Sequence, residues 1–150
     1  MKSPIDRRAV LSTASLAAAA AVLGSSEAEA QSGRITVHVL DIFSGVPASG
    51  VKIDLFKKHG EQMALVKSVM TDTDGRPESG PVLSDDSFAL GRYVITFDLS
   101  DYFKRVDKAL PVNFFRKVSM EFEVTDEEMP LHIPLQCTPW TQACSVLPGG

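Results

Sequence analysis

Cysteine is almost missing from this 150-residue chain: Cys137 and Cys144 are the only two. No Cys-x-x-Cys and no His-x-x-x-His occurs, so the thiolate and imidazole clusters that hold structural metals have no candidate ligands. Whether the two thiols pair stays open, because a disulfide needs Cα atoms within about 7 Å and sequence does not set that distance. A surplus of positive charge is missing too. The net charge is −4, with Lys and Arg scattered rather than striped, which removes the basic face a nucleic acid needs. No Gly-x-Ser-x-Gly elbow supports a serine nucleophile. The D-x-D-x-D-G run and distal glutamate of a calcium loop are absent. What is present is ordinary. Hydrophobic residues at 44% and charged residues at 23% describe a globular chain, neither a disordered tail nor a membrane-spanning bundle. The length suits one domain with its own core.

Residues 1–30 have the order of a bacterial export signal. Asp6-Arg7-Arg8 stands before an uncharged, Ala-rich run to Ser26, and Ala28-Glu29-Ala30 follows. The paired arginine points to the twin-arginine route, with cleavage after Ala30. The apolar stretch is too short and too weakly hydrophobic for a permanent membrane anchor. The expected mature domain is therefore 31–150, folded before export and working in the periplasm, with no membrane contact after the signal is removed.

From Ile35 the chain alternates with period two. Ile35, Val37 and Val39 fall on one face, and Thr36, His38 and Leu40 on the other, as in a half-buried strand. Val51, Ile53 and Leu55 oppose Lys52, Asp54 and Phe56 after a Gly- and Pro-rich turn. A less regular stretch from Gln62 to Met70 leads into Asp72-Thr73-Asp74-Gly75, where Asp-Gly predicts a tight hairpin turn. Tyr93 to Leu99 reads as a strand, and Ser100 offers an N-cap hydroxyl to one short helix that begins at Asp101 and stops before Pro111. Val118 to Val124 and Leu131 to Leu135 alternate again. Many short strands and one helix predict an all-β, two-layer antiparallel sandwich.

Parity places the chemistry. His38 lies opposite the Ile35, Val37, Val39 set, and His132 opposite Leu131, Ile133 and Leu135, so both histidines face away from the core. A histidine on a sheet's outer face is ordinarily just solvated. His59, in Lys57-Lys58-His59-Gly60-Glu61, reads as an exposed hairpin residue without a role.

Several strings in order change that reading: Thr36-Val37-His38-Val39-Leu40-Asp41, Gly45-x-Pro47-Ala48-x-Gly50-Val51, Thr71-Asp72-x-Asp74-Gly75-Arg76, Gly91-x-Tyr93, Asp101-Tyr102-Phe103, Phe114-Phe115 and Leu131-His132-Ile133-Pro134-Leu135. Together, from Ile35 through Trp140, they resemble the 5-hydroxyisourate hydrolases of the transthyretin-like (prealbumin-like) family. The resemblance implies that family's sandwich, a homotetramer of two dimers with sites in a central channel, and a catalytic set of His38, Arg76 and His132, with His38 and Arg76 also contacting substrate. No metal or organic cofactor is implied. The residue types suit the opening of a cyclic amide: neutral imidazole moves protons near pH 7, and a guanidinium holds a carbonyl-rich heterocycle with two parallel donors.

The tail departs from the family pattern. Where the family ends Tyr-Arg-Gly-Ser, this chain places Ser145 and Val146 at the tyrosine and arginine positions, which makes Ser145 a candidate substrate contact of a different kind. Three readings follow: a hydrolase acting on 5-hydroxyisourate in urate catabolism; a periplasmic small-molecule carrier that uses the same channel without turnover; and an assembly domain with interface histidines. Retention of His38, Arg76 and His132 favours the first.

Overall fold

Apolar and polar side chains that alternate along the chain end up on the two faces of two sheets. A computed structural model describes residues 33–106 and 116–149. The expected signal segment, Phe114-Phe115 and the expected helix stop before Pro111 lie outside the described residues. The strands are β1 (Arg34–Asp41), β2 (Val46–Pro47), β3 (Lys52–His59), β4 (Gln62–Met70), β5 (Leu83–Ser84), β6 (Gly91–Asp98), β7 (Lys117–Val124), β8 (Leu131–Cys137), β9 (Gln142–Cys144) and β10 (Leu147–Pro148), with helix α1 at Ser100–Val106 between β6 and β7. One sheet runs β10-β8-β1-β2, with β5 also on β1 and β9 also on β8; the other runs β4-β3-β6-β7. The core lies between them. Ile35, Val39, Ile133 and Leu135 from the first sheet meet Ile53, Leu55, Ile95 and Phe97 from the second, all 0% exposed. Tyr93 and Phe122 stack at 5.8 Å between ring centroids.

Among the described residues the sandwich is antiparallel except at one place. β1 and β8 pair in parallel, Ile35 with Leu131 through Asp41 with Cys137. Strands joined by a tight turn must run antiparallel, as β3 and β4 do across Gly60-Glu61. Nothing imposes that on partners such as Thr36 and His132, which are 96 positions apart and separated in sequence by the whole second sheet.

One local expectation is corrected, and the Asp74-Gly75 turn forms as expected but without regular strands beyond it. Ser100 does not cap the helix with its hydroxyl, which donates instead to the Arg116 carbonyl at 3.2 Å. The Asp98 carboxylate takes the Ser100 N–H at 3.0 Å, the role of an N-terminal cap. The Asp74-Gly75 turn is closed by an Asp72 N–H to Arg76 carbonyl bond of 2.7 Å and a Thr71 to Pro77 bridge, but no regular strand continues from it. Instead it folds onto β1, where the Val39 N–H donates to the Gly75 carbonyl at 2.8 Å. Gly75 has φ of 70°, and a Cβ there would strike the Val39 carbonyl oxygen. Both the dihedral and the close approach therefore call for glycine.

Asp41, 1% exposed, ties the helix to this sheet. Its carboxylate accepts from Tyr102 Oη at 3.0 Å, and from the N–H groups of Phe43 and Ser44 at 2.9 and 3.1 Å. Burial, then the Asp41 carboxylate, push the Tyr102 phenol above its ordinary pKa. The cysteines are both free thiols. Leu135 faces Cys144 and Cys137 faces Gln142, so the two are diagonal neighbours at about 7–8 Å, beyond ordinary disulfide span. Burial pushes Cys137 up to about 12 and Cys144 up to about 11, which keeps both protonated and inert.

Candidate active site

The parallel pairing of β1 and β8 brings the two histidines together. His132 sits level with Thr36, and His38 level with Pro134, so the imidazoles project from adjacent strands, one side-chain step apart, on the same outer face. Both are half-buried. Arg76 arrives from the turn docked on β1 and is exposed. Its guanidinium has no carboxylate partner among the described residues. A cleft of about 370 Å³ is lined by Thr36, Arg76, Asp72, Glu78 and Pro81; neither histidine lines it, and Thr36, which contacts His132, connects the two. A larger hollow of about 500 Å³, lined by Lys52, Lys67 and Met70, lies against the second sheet; it shares Glu78 with the first cleft but is lined by neither histidine nor Arg76.

The electrostatics hold both rings neutral. His38 lies below its ordinary pKa of 6.5 first because of burial and then because of Arg76, with the backbone and carboxylate of Asp74 and the carboxylate of Asp72 pulling the other way. His132 is lowered by burial, by Arg76 and by His38, in that order. Desolvation and a nearby cation both disfavour imidazolium. Two neutral imidazoles and an unpaired guanidinium on one face can take a proton from water, return one to a leaving nitrogen and hold a carbonyl oxygen.

The structure thus brings His38, Arg76 and His132 together as expected and places His59 far off, exposed at the end of β3. It changes the reading of the tail. Leu147 on β10 is the register partner of His132, and the Ser145 N–H donates to the Pro134 carbonyl at 3.3 Å, so Ser145 and Leu147 flank the histidine face. Val146 between them packs inward against the core. Ser145 is therefore available to a ligand on this face and Val146 is not. Sequence reasoning missed two neighbours of His132. Thr36 Oγ lies 2.9 Å from His132 Nδ1; its period-two relation to His38 marked the face but not the contact. Leu147 carried no signal, because β10 pairs with β8 only in the fold.

Residues 35–144 match the HIUase/Transthyretin family. The chain belongs to this family. Among curated relatives, 5-hydroxyisourate hydrolase 2 of Rhizobium meliloti (strain 1021) is 39% identical over 111 residues, covering 73% of this chain and 92% of that protein. Among solved structures, (S)-allantoin synthase superposes with a TM-score of 0.69 at 31% identity over 79% of this chain, which spans only 44% of that longer protein. Sea bream transthyretin, solved in complex with thyroxine, has a TM-score of 0.69 at 18% identity over 78% of this chain and 97% of its own, a likeness of fold alone. The family's fold is the one described above, mostly β in two sheets with one helix.

Proposed function

We propose that this chain is a hydrolase that opens the ring of 5-hydroxyisourate in urate catabolism. The observation that carries the reading is the set of His38, Arg76 and His132 on one outer face, both imidazoles neutral and the guanidinium unpaired; the hydrolase relative at 39% identity supports the substrate. In the reaction, one histidine takes a proton from water as its oxygen attacks the ring carbonyl carbon. Arg76 steadies the negative charge that develops on the carbonyl oxygen. The carbon–nitrogen bond then breaks, and the nitrogen takes up a proton. No cofactor takes part.

The protein acts as a homotetramer in the periplasm, after twin-arginine export and removal of residues 1–30. Support for assembly is the openness of the histidine face: one chain lines it but does not enclose it, and a second copy lying over it would make a closed site. A carrier reading is favoured by one feature, the apolar Leu147 beside His132 where a hydrolase gains nothing obvious from an isobutyl group. The two separate on one assay. Purified protein added to 5-hydroxyisourate made in place from urate accelerates its decay well beyond the spontaneous rate; decay at the spontaneous rate, with the compound retained by the protein, leaves the carrier.

A further inference from the structure

A hydroxyl group has one proton to give. Thr36 Oγ lies 2.9 Å from His132 Nδ1 and 3.3 Å from the Leu131 carbonyl oxygen. The carbonyl can only accept. Both contacts are hydrogen bonds in one arrangement alone: Thr36 donates to Leu131 and accepts from Nδ1, which then carries the ring proton. A neutral imidazole has a single N–H, so Nε2 keeps its lone pair. With the proton on the other nitrogen, the ring would offer the open side of the sheet a donor instead of a base.

The placement of Thr36 is tightly determined. It is the register partner of His132 in the parallel ladder, and its chain neighbours Ile35 and Val37 are 0% and 1% exposed, which fixes the backbone. A β-branched side chain on a strand has few χ1 choices. Around His132 stand Arg76 from the turn, His38 from β1 and the uncharged Leu147 from β10. No carboxylate among the influences on its ring competes with Thr36 for its proton.

We propose that Thr36 is a positioning residue: its hydroxyl holds His132 in the Nδ1–H tautomer and so presents a bare Nε2 as the base that takes the proton from water. The catalytic consequence rests on the hydrolase reading above; the tautomer does not. His38 is then left to hold or return a proton at the opposite end of the reaction.

The direct test is a long-range proton–nitrogen spectrum of the full chain labelled with ¹⁵N-histidine, taken without substrate above the histidine titration. Wild type and Thr36→Ser show His132 protonated at Nδ1. Thr36→Val keeps the shape and loses the hydroxyl, and its His132 moves toward the Nε2–H form. In turnover of 5-hydroxyisourate, Thr36→Val lowers kcat by about tenfold to a hundredfold with KM little changed, as loss of an orienting partner does, and Thr36→Ser keeps most of the rate. An Nε2–H tautomer in the wild type overturns the proposal, and so does a tautomer unchanged by Thr36→Val. A wild type inert toward 5-hydroxyisourate sinks the hydrolase reading instead, while the spectrum still decides the role of Thr36.

Discussion

On the inner face of β1 and β8, Ile35, Val39, Ile133 and Leu135 are 0% exposed; on the outer face of the same two strands, Thr36, His38 and His132 are half-buried. The two sets lie one residue apart in sequence. Inside, the side chains are apolar, contact each other and carry no proton that can move. Outside, they are polar, they line an open surface, and the two histidines are held below their ordinary pKa by burial and then by the Arg76 cation. The difference separates stability from chemistry within a single pair of strands. The inner residues hold the backbone in register, and that register delivers His132 beside Thr36 and one step from His38. A change on either face should therefore move one property and spare the other.

The largest effect is expected inside. Ile133→Ala removes a fully buried side chain and costs about 2–5 kcal/mol of stability, read as a drop in the denaturation midpoint, while the fraction that remains folded keeps its turnover rate. Equal stability in the variant would mean that the inner face does not carry the sandwich.

Acid is the next probe, and it acts on the outer face. Both histidines sit below 6.5 in the folded chain. Between that lowered value and 6.5 the unfolded chain binds more protons, so the histidines' contribution to stability is full above the unfolded pKa and is lost as pH falls through the folded one. The same lowering keeps the base available: kcat/KM should be flat near pH 7 and decline only on an acid limb that lies below 6.5, with a slope near tenfold per pH unit. A limb above 6.5 would contradict neutral histidines beside Arg76.

The smallest effect concerns the edge of the outer face. Ser145→Tyr places a phenol on the histidine side and should lower KM by about two- to fivefold, the scale of one added aromatic contact. Arginine at position 146 should fail differently, destabilising the chain because Val146 is partly buried against the core and a charge there would lose part of its solvent. If Val146→Arg were harmless and Ser145→Tyr disruptive, the assignment of faces in the segment between β9 and β10 would be reversed.

Much of this contrast is legible in the residues themselves. Period two at Ile35–Asp41 and Leu131–Cys137 assigns each side chain to a face, and the ordered strings around His38, Arg76 and His132 point to the family before any coordinates. Less legible are features that depend on which strand lies beside which. Parallel pairing of β1 with β8 has no local signature, since the partners are far apart in the chain, and so the Thr36 to His132 contact and the Leu147 to His132 pairing were out of reach. The stretch at β4 shows little alternation because it is a sheet edge, with Met63 and Leu65 more than half exposed. At the start of α1, a carboxylate at Asp98 and a hydroxyl at Ser100 both suit a cap. The choice between them turns on the Arg116 carbonyl, which reaches Ser100 from across the chain.

The most direct test sets the two faces against each other in one experiment: turnover of 5-hydroxyisourate and melting temperature, measured on the wild type, His38→Ala, His132→Ala and Ile133→Ala. Each histidine variant should lose about a hundredfold or more in kcat with its stability within about 0.5 kcal/mol of wild type, while Ile133→Ala melts early and still turns over when folded. Histidine variants that keep the wild-type rate, or that lose it only because they unfold, would contradict a catalytic outer face.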